Sequence, residues 1–315
     1  MRSLFFITLI LLAAATVHAQ DRPPQPTPEP QPIMVDGLER TYTLHVPDNL
    51  TDPAPVVLLL HGRTGTGAGI ARYTGFDELS DREGFIALYP DALDGEWNFV
   101  KDIPGYDKTQ DDTAFLTTLV DHIATVYPVD LSRVYIAGFS NGGFMAQRIA
   151  CENPARFAAF ASVAAAGFYG MSLVCMESGS SPMLLIHGTA DNNIPWNGLI
   201  AQRGQLSVII TYPVPQTLAF WANFNGCQSE AETTQLPRLG LSPGSSVRVL
   251  TVDCPEDAPV ILYAIIDGGH NWPGRAEGIS PAIAGEINLD IDASQEIWKF
   301  FAQHRREQTP DESSE

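Results

Sequence analysis

Gly138-Phe139-Ser140-Asn141-Gly142, with Gly143 behind it, lies between two stretches of different periodicity. Before it, Arg133 to Ala137 is a short apolar, β-branched run of the kind that fills a buried strand. After it, Phe144 to Ala150 places helix-forming residues at helical spacing. A strand that breaks into G-x-S-x-G and resumes as a helix admits few structures. The serine must sit in a strained turn, and its neighbours two residues away must be small enough for strand and helix to approach. The helix then aims its dipole and unpaired amides at the place where an oxyanion forms. That context distinguishes a nucleophile elbow from a glycine-rich turn with a capping serine.

The flanking chain supplies the sheet that such an elbow needs. Tyr42 to Val46 alternates in polarity and reads as an early antiparallel edge strand. Pro55 to Leu60 and Pro182 to Ile186 are continuously apolar, and each ends in His-Gly (His61-Gly62, His187-Gly188). Such runs suit strands buried on both faces of a parallel sheet. Phe85–Tyr89, Phe157–Val163 and Val260–Ile266 add three more strands. Helical patterns cover Thr113 to Tyr127, Pro215 to Asn225 and Ala293 to His304, and Asp111-Asp112 suits the first helix's N-terminus. Leu236 to Ser246 reads as a surface loop. Strands alternating with helices predict an α/β fold, with a doubly wound, mostly parallel sheet and helices on both faces.

In such sheets, ligands bind at the carboxyl ends of the strands. Ser140, Asp191 and His270 each follow a strand, in the chain order of α/β-hydrolases. A serine hydroxyl needs a base near neutral pH, which His270 can supply, and Asp191 would hold the imidazole tautomer. Of seven histidines, only His270 follows Asp191 on a late, glycine-flanked loop. His61 and His187 read as loop-shaping, while His18, His45, His122 and His304 lie in the leader, an early strand, a helix and the tail. Asp267 remains an alternative to Asp191. The loop His61 to Gly65 can offer a second backbone amide opposite the elbow. Trp97, Trp196 and Trp272 lie on three loops at the same edge and are expected to line a substrate cleft that favours flat acyl groups or sugar rings.

Met1 to Ala19 has a positive start, an apolar stretch and a small-x-small end, as in a secretory signal, so Gln20 would begin the mature chain. Residues 20–33 are a proline-rich tether, with six prolines from Asp21 to Pro32. One catalytic domain is expected over 34–306, then a loose acidic tail at 307–315. A secreted monomer, with no membrane anchor once the signal is removed, is the expectation. The formal charge of -19 argues against nucleic acid as a partner. Four cysteines in an exported chain suggest two disulfides, and three connectivities exist. Cys151–Cys175 with Cys227–Cys254 is favoured because each closes a short loop. None lies near a histidine at metal-ligand spacing, so no metal and no cofactor are expected.

Several of these residues also carry a resemblance. Leu60-His61-Gly62, Trp97-Asn98, Asp111-Asp112 with Phe115-Leu116, the Arg133-to-Gly143 elbow, His187-Gly188-Thr189-Ala190-Asp191 and Gly268-Gly269-His270-Asn271-Trp272-Pro273-Gly274 stand in order along the chain. Together they resemble the esterase group containing feruloyl esterases of carbohydrate esterase family 1, polyhydroxybutyrate depolymerases and LpqC-like proteins. The resemblance covers roughly residues 35 to 305. It implies a serine carboxylesterase with Ser140, Asp191 and His270 as triad, and the amides of Asn141 and of Arg63 or Thr64 as oxyanion donors. A serine peptidase of prolyl-oligopeptidase type and a non-catalytic binding protein on a hydrolase scaffold are the alternatives.

Overall fold

The computed structural model describes residues 29–50, 53–175, 181–203, 206–228, 230–276 and 284–306. The leader, most of the tether and the tail lie outside them. Twelve strands alternate with helices: β1 (Gln31–Val35), β2 (Leu38–His45), β3 (Ala54–Leu60), α1 (Gly67–Thr74), α2 (Phe76–Glu83), β4 (Ile86–Pro90), α3 (Asp112–Val126), β5 (Val129–Phe139), α4 (Asn141–Glu152), β6 (Ala159–Val163), α5 (Met171–Val174) and β7 (Met183–Gly188). Then come β8 (Leu199–Arg203), β9 (Leu206–Thr211), α6 (Val214–Phe224), β10 (Glu232–Gln235), β11 (Ser246–Thr251), β12 (Val260–Ile266) and α7 (Ala293–Phe301).

Ten strands form one sheet in the order β1-β2-β4-β3-β5-β6-β7-β12-β11-β10, and β8 and β9 make a separate hairpin. The six central strands from β4 to β12 are parallel to one another. Both flanks are antiparallel. The buried, unbroken apolar character of β3 follows from its place at the middle, where both faces are covered. Val56, Leu58 and Leu60 point to one core with α3, α4 and α6. Val57 and Leu59 point to the other, with α1, α2 and α7. The fold is therefore the doubly wound α/β arrangement expected.

Two local readings need correction. β2 is antiparallel, but it is not an edge, because β1 pairs outside it with Gln31 opposite Tyr42. The proline-rich stretch thus enters the sheet at Gln31, within the segment read as a tether. Pro32 is tolerated because β1 is the edge, where a missing N–H breaks no inner ladder. The helices cap as their sequences suggest: Asp111 accepts from the amide of Ala114, and Asp292 from Ser294 and Gln295.

Both disulfides join the pairs with the shorter loops. Cys151 at the end of α4 meets Cys175 after α5, with Cα atoms 4.4 Å apart, and Cys227 meets Cys254 at 4.0 Å. The second bridge ties the end of α6 to the turn before β12, across a sequence separation of 27. Chain entropy assigns such a loop about 3 to 4 kcal/mol. Replacing both Cys227 and Cys254 by Ala should lower the urea midpoint, and with it the unfolding free energy by that amount. A midpoint within experimental error of the parent would show that the bridge constrains nothing in the unfolded chain.

Candidate active site

Ser140 ends β5 and begins the turn into α4, with φ 54° and ψ −116°, a conformation few L-residues accept. Its backbone N–H is held by the Val163 carbonyl at 2.8 Å. The two flanking glycines are required by approach rather than by φ. A Cβ on Gly138 would stand 2.1 Å from the Gly142 carbonyl oxygen, and one on Gly142 would stand 2.3 Å from the Leu60 carbonyl oxygen. So the elbow is as tight as the sequence pattern demands, and it rests directly on the end of β3.

Three carboxyl-terminal strand ends bring the polar side chains together. Ser140 Oγ and His270 Nε2 are 2.9 Å apart, and His270 Nδ1 is 2.7 Å from Asp191 Oδ2. A carboxylate only accepts, so Nδ1 carries the proton and Nε2 is left to accept from the serine hydroxyl. The other carboxylate oxygen of Asp191 accepts from the amides of Asn193 and Ile194, both at 2.8 Å. Asp267, the alternative, lies elsewhere: its backbone N–H donates to Thr189 Oγ1 in a positive-φ turn. His187 stands 3.6 Å from Asp191 and gives Nε2–H to the Ile194 carbonyl. Burial pushes its pKa down, so it shapes the aspartate's loop as a neutral ring.

The loop after β3 separates the two amides considered opposite the elbow. The Thr64 N–H already donates to the Gly95 carbonyl at 2.8 Å, whereas the Arg63 N–H has no partner among the described residues. Asn141, first residue of α4, has no intrahelical acceptor for its N–H. Thr64, at φ 62°, instead forms the turn that leaves Arg63 free.

Trp97 and Trp272 do not form the cleft wall expected of them. Trp97 is 1% exposed, and its indole N–H donates to the His61 carbonyl; Trp272 is fully buried and donates to Ser294 Oγ. Trp196 is half-buried, and its ring meets that of His187 edge to face at 6.1 Å. A loop tip turned into the core offers an indole both packing and a carbonyl, and sequence alone does not show which way a tip faces. An open pocket of about 580 Å³ lies beside the elbow, between the His61–Thr66 loop, α1 and Phe139. Its aromatic members are Tyr73 and Phe139, whose rings meet edge to face at 5.6 Å. Phe139 was visible as the residue before the serine; nothing in the sequence marked Tyr73.

Polar contacts lock the two oxyanion-side loops together. The side-chain oxygen of Asn141 accepts from the Trp97 amide at 2.7 Å. Asn98 N–H donates to Asp112, which is buried against Arg40 at 2.8 Å. Burial pushes the Asp112 carboxyl up and the Arg40 guanidinium down, and each opposes the other's shift. His61 accepts at Nε2 from the Ala92 amide and gives Nδ1–H to the Gly62 carbonyl. It is neutral in that role.

Six parallel central strands with a serine elbow, a histidine and an aspartate at their carboxyl ends define an α/β-hydrolase of the serine type. The model of the Esterase PHB depolymerase family matches residues 40–218, and the chain belongs to that family. Feruloyl esterase C of Emericella nidulans is 26% identical over 318 residues, covering 96% of this chain and 98% of that protein. Acetylxylan esterase A of Aspergillus awamori is 26% identical over 268 residues, covering 83% and 79%. Among solved structures, the acetyl xylan esterase from Aspergillus awamori superposes with a TM-score of 0.58 at 18% identity, over 84% of this chain and 94% of that one. That likeness establishes a shared fold.

Burial holds the pKa of His61 below its ordinary value. The unfolded chain therefore takes a proton near pH 6.5 that the folded chain refuses. Its contribution to stability is complete above that pH and is lost as pH falls toward the folded value. The difference in Tm between the parent and His61→Asn should shrink between pH 7.5 and 5.5. A difference that stays constant would show that His61 does not titrate on unfolding.

Proposed function

We propose that the protein is a secreted serine carboxylesterase that works through an acyl-enzyme. Its substrates would be feruloyl or acetyl esters of plant polysaccharide, or hydroxyalkanoate esters. The observation that carries this reading is the relay Ser140–His270–Asp191 at 2.9 and 2.7 Å, beside the free amides of Arg63 and Asn141. Family membership supports the ester bond as the target.

The chemistry follows from the atoms present. Ser140 Oγ bonds to the ester carbonyl carbon as its proton passes to His270 Nε2. The carbonyl electron pair moves onto oxygen, where the Arg63 and Asn141 N–H groups stabilise it, each donor contributing about 3 kcal/mol. Collapse restores the carbonyl and breaks the bond to the alcohol oxygen, which takes the proton from His270. Water repeats the cycle on the acyl-serine: His270 takes its proton, and collapse breaks the bond to Oγ and returns the proton to Ser140. Asp191 orients the imidazole and stabilises its cationic form.

Secretion rests on the leader-like Met1 to Ala19 and is supported by the two disulfides, which persist in oxidising compartments. Among the described residues no helix is long and apolar enough to cross a membrane.

The test is turnover of p-nitrophenyl acetate and of a peptide anilide. The parent should cleave the ester and leave the anilide. Ser140→Ala should lower kcat by about a million-fold with little change in Tm, and Asp191→Asn by about ten-thousand-fold. Ester turnover above about one percent of the parent in Ser140→Ala would place the nucleophile elsewhere.

A further inference from the structure

The pocket beside the elbow is lined by two arginines, Arg63 and Arg72. Acidic residues outnumber basic ones by 37 to 18 in this chain, and most cations among the described residues have a carboxylate, Arg238, Arg248 and Arg306 being exceptions away from the pocket. Arg40, Lys101, Lys108, Arg133, Arg148 and Arg275 all have one. Arg72, which lines the pocket from the last turn of α1, has no carboxylate and no hydrogen-bond partner among the described residues. Across the mouth, Arg63 is 71% exposed in its side chain and reaches Glu96 only at 3.6 Å, a carboxylate that Lys108 binds at 2.8 Å.

A third group points the same way. Tyr73 lines the pocket, and its hydroxyl oxygen accepts from the Trp272 amide at 2.8 Å. Its own hydrogen has no acceptor among the described residues. Burial pushes its pKa up to about 12, so the hydrogen stays in place as a donor. The ring packs on Phe139, which in turn lies 5.0 Å from the His270 ring. Tyr73 and the two arginines therefore line a space that reaches the elbow at Phe139, the residue before Ser140. A carboxylate suits this set, because arginine only donates and the Tyr73 hydroxyl, already accepting from Trp272, has its hydrogen left to give.

Resting on the esterase reading, we propose that the site selects esters that themselves carry a carboxylate, held between Arg72, Arg63 and the Tyr73 hydroxyl in the pocket beside Ser140. The pocket of about 580 Å³ is within the range that takes a molecule of disaccharide size. Two sources share this chemistry: the free acid end of a hydroxyalkanoate oligomer, and a uronic-acid unit of a polysaccharide next to an acylated hydroxyl.

The experiment compares kcat/KM for two matched pairs: the hydroxybutyrate dimer as free acid and as carboxamide, and acetylated glucuronic acid and its carboxamide. At least one pair should show about a tenfold preference for the acid, and which pair does so identifies the source. Arg72→Gln should cut that preference at least fivefold, Arg72→Lys should restore part of it, and 0.5 M NaCl should weaken it in the parent. The acid-to-amide ratio is internal to each preparation, so partial misfolding does not alter it. Ratios within twofold of one in both pairs, or a preference unchanged in Arg72→Gln, would overturn the proposal. Failure of the parent to turn over p-nitrophenyl acetate would instead remove the esterase reading on which it stands.

Discussion

The contact on which the rest of the site depends is between backbones. The first turn of α4 comes so close to the end of β3 that Gly142 leaves no space for a side chain before the Leu60 carbonyl. This approach forces the serine into its positive-φ turn, a conformation that costs on the order of 1 to 3 kcal/mol. It also sets the loop after β3 against the amide end of α4. Ser140 and the amides of Arg63 and Asn141 are thus placed by one steric constraint, which only a residue without Cβ satisfies. The strain persists because the surrounding sheet over-determines it: β5 is flanked by parallel partners on both sides along its last residues.

A polar clamp finishes what the close approach begins. Arg40 on β2 holds Asp112 at the start of α3, Asp112 holds the Asn98 amide, and the adjacent Trp97 holds both Asn141 and the His61 carbonyl. The guanidinium also lies 3.8 Å over the Phe115 ring. Buried ion pairs contribute little net stability, because desolvation offsets the attraction. The pair's value here lies in position. It carries register from β2 to the elbow through buried hydrogen bonds, and Asn98 holds the Lys108 and Gln110 carbonyls, so the loop from Trp97 to Gln110 is tied down although it has little regular structure.

What was legible in the sequence and what was not divide along physical lines. The central strands were readable because burial on both faces leaves a continuous apolar run, as in Val56 to Leu60. Ser140, Asp191 and His270 were readable because strand ends at one edge of a parallel sheet converge. The β11–β10 flank and the separate hairpin β8–β9 were not: β10 is exposed along its whole length, and the hairpin has apolar residues facing solvent, such as Ile200. Arg63 and Thr64 could not be separated, because the choice depends on which amide the Gly95 carbonyl captures. Trp97 and Trp272 were misjudged for a similar reason. A loop's place along the chain says which edge it reaches, but the direction of a ring depends on cavities that only the assembled core defines.

The acidic surface and the cationic pocket act over different distances. At physiological salt, the field of exposed charges is screened within about 8 Å, so the net charge of -19 governs solubility more than events in the pocket. Inside the mouth, the guanidinium groups of Arg63 and Arg72 and the Tyr73 hydroxyl act at hydrogen-bond range, where screening is weakest. An anionic ester then meets mild repulsion on approach and directed donors on arrival. Neutral esters meet neither. Selection of that kind resides in the bound state, and so in the alignment of the ester carbonyl with Ser140 rather than in the rate of encounter.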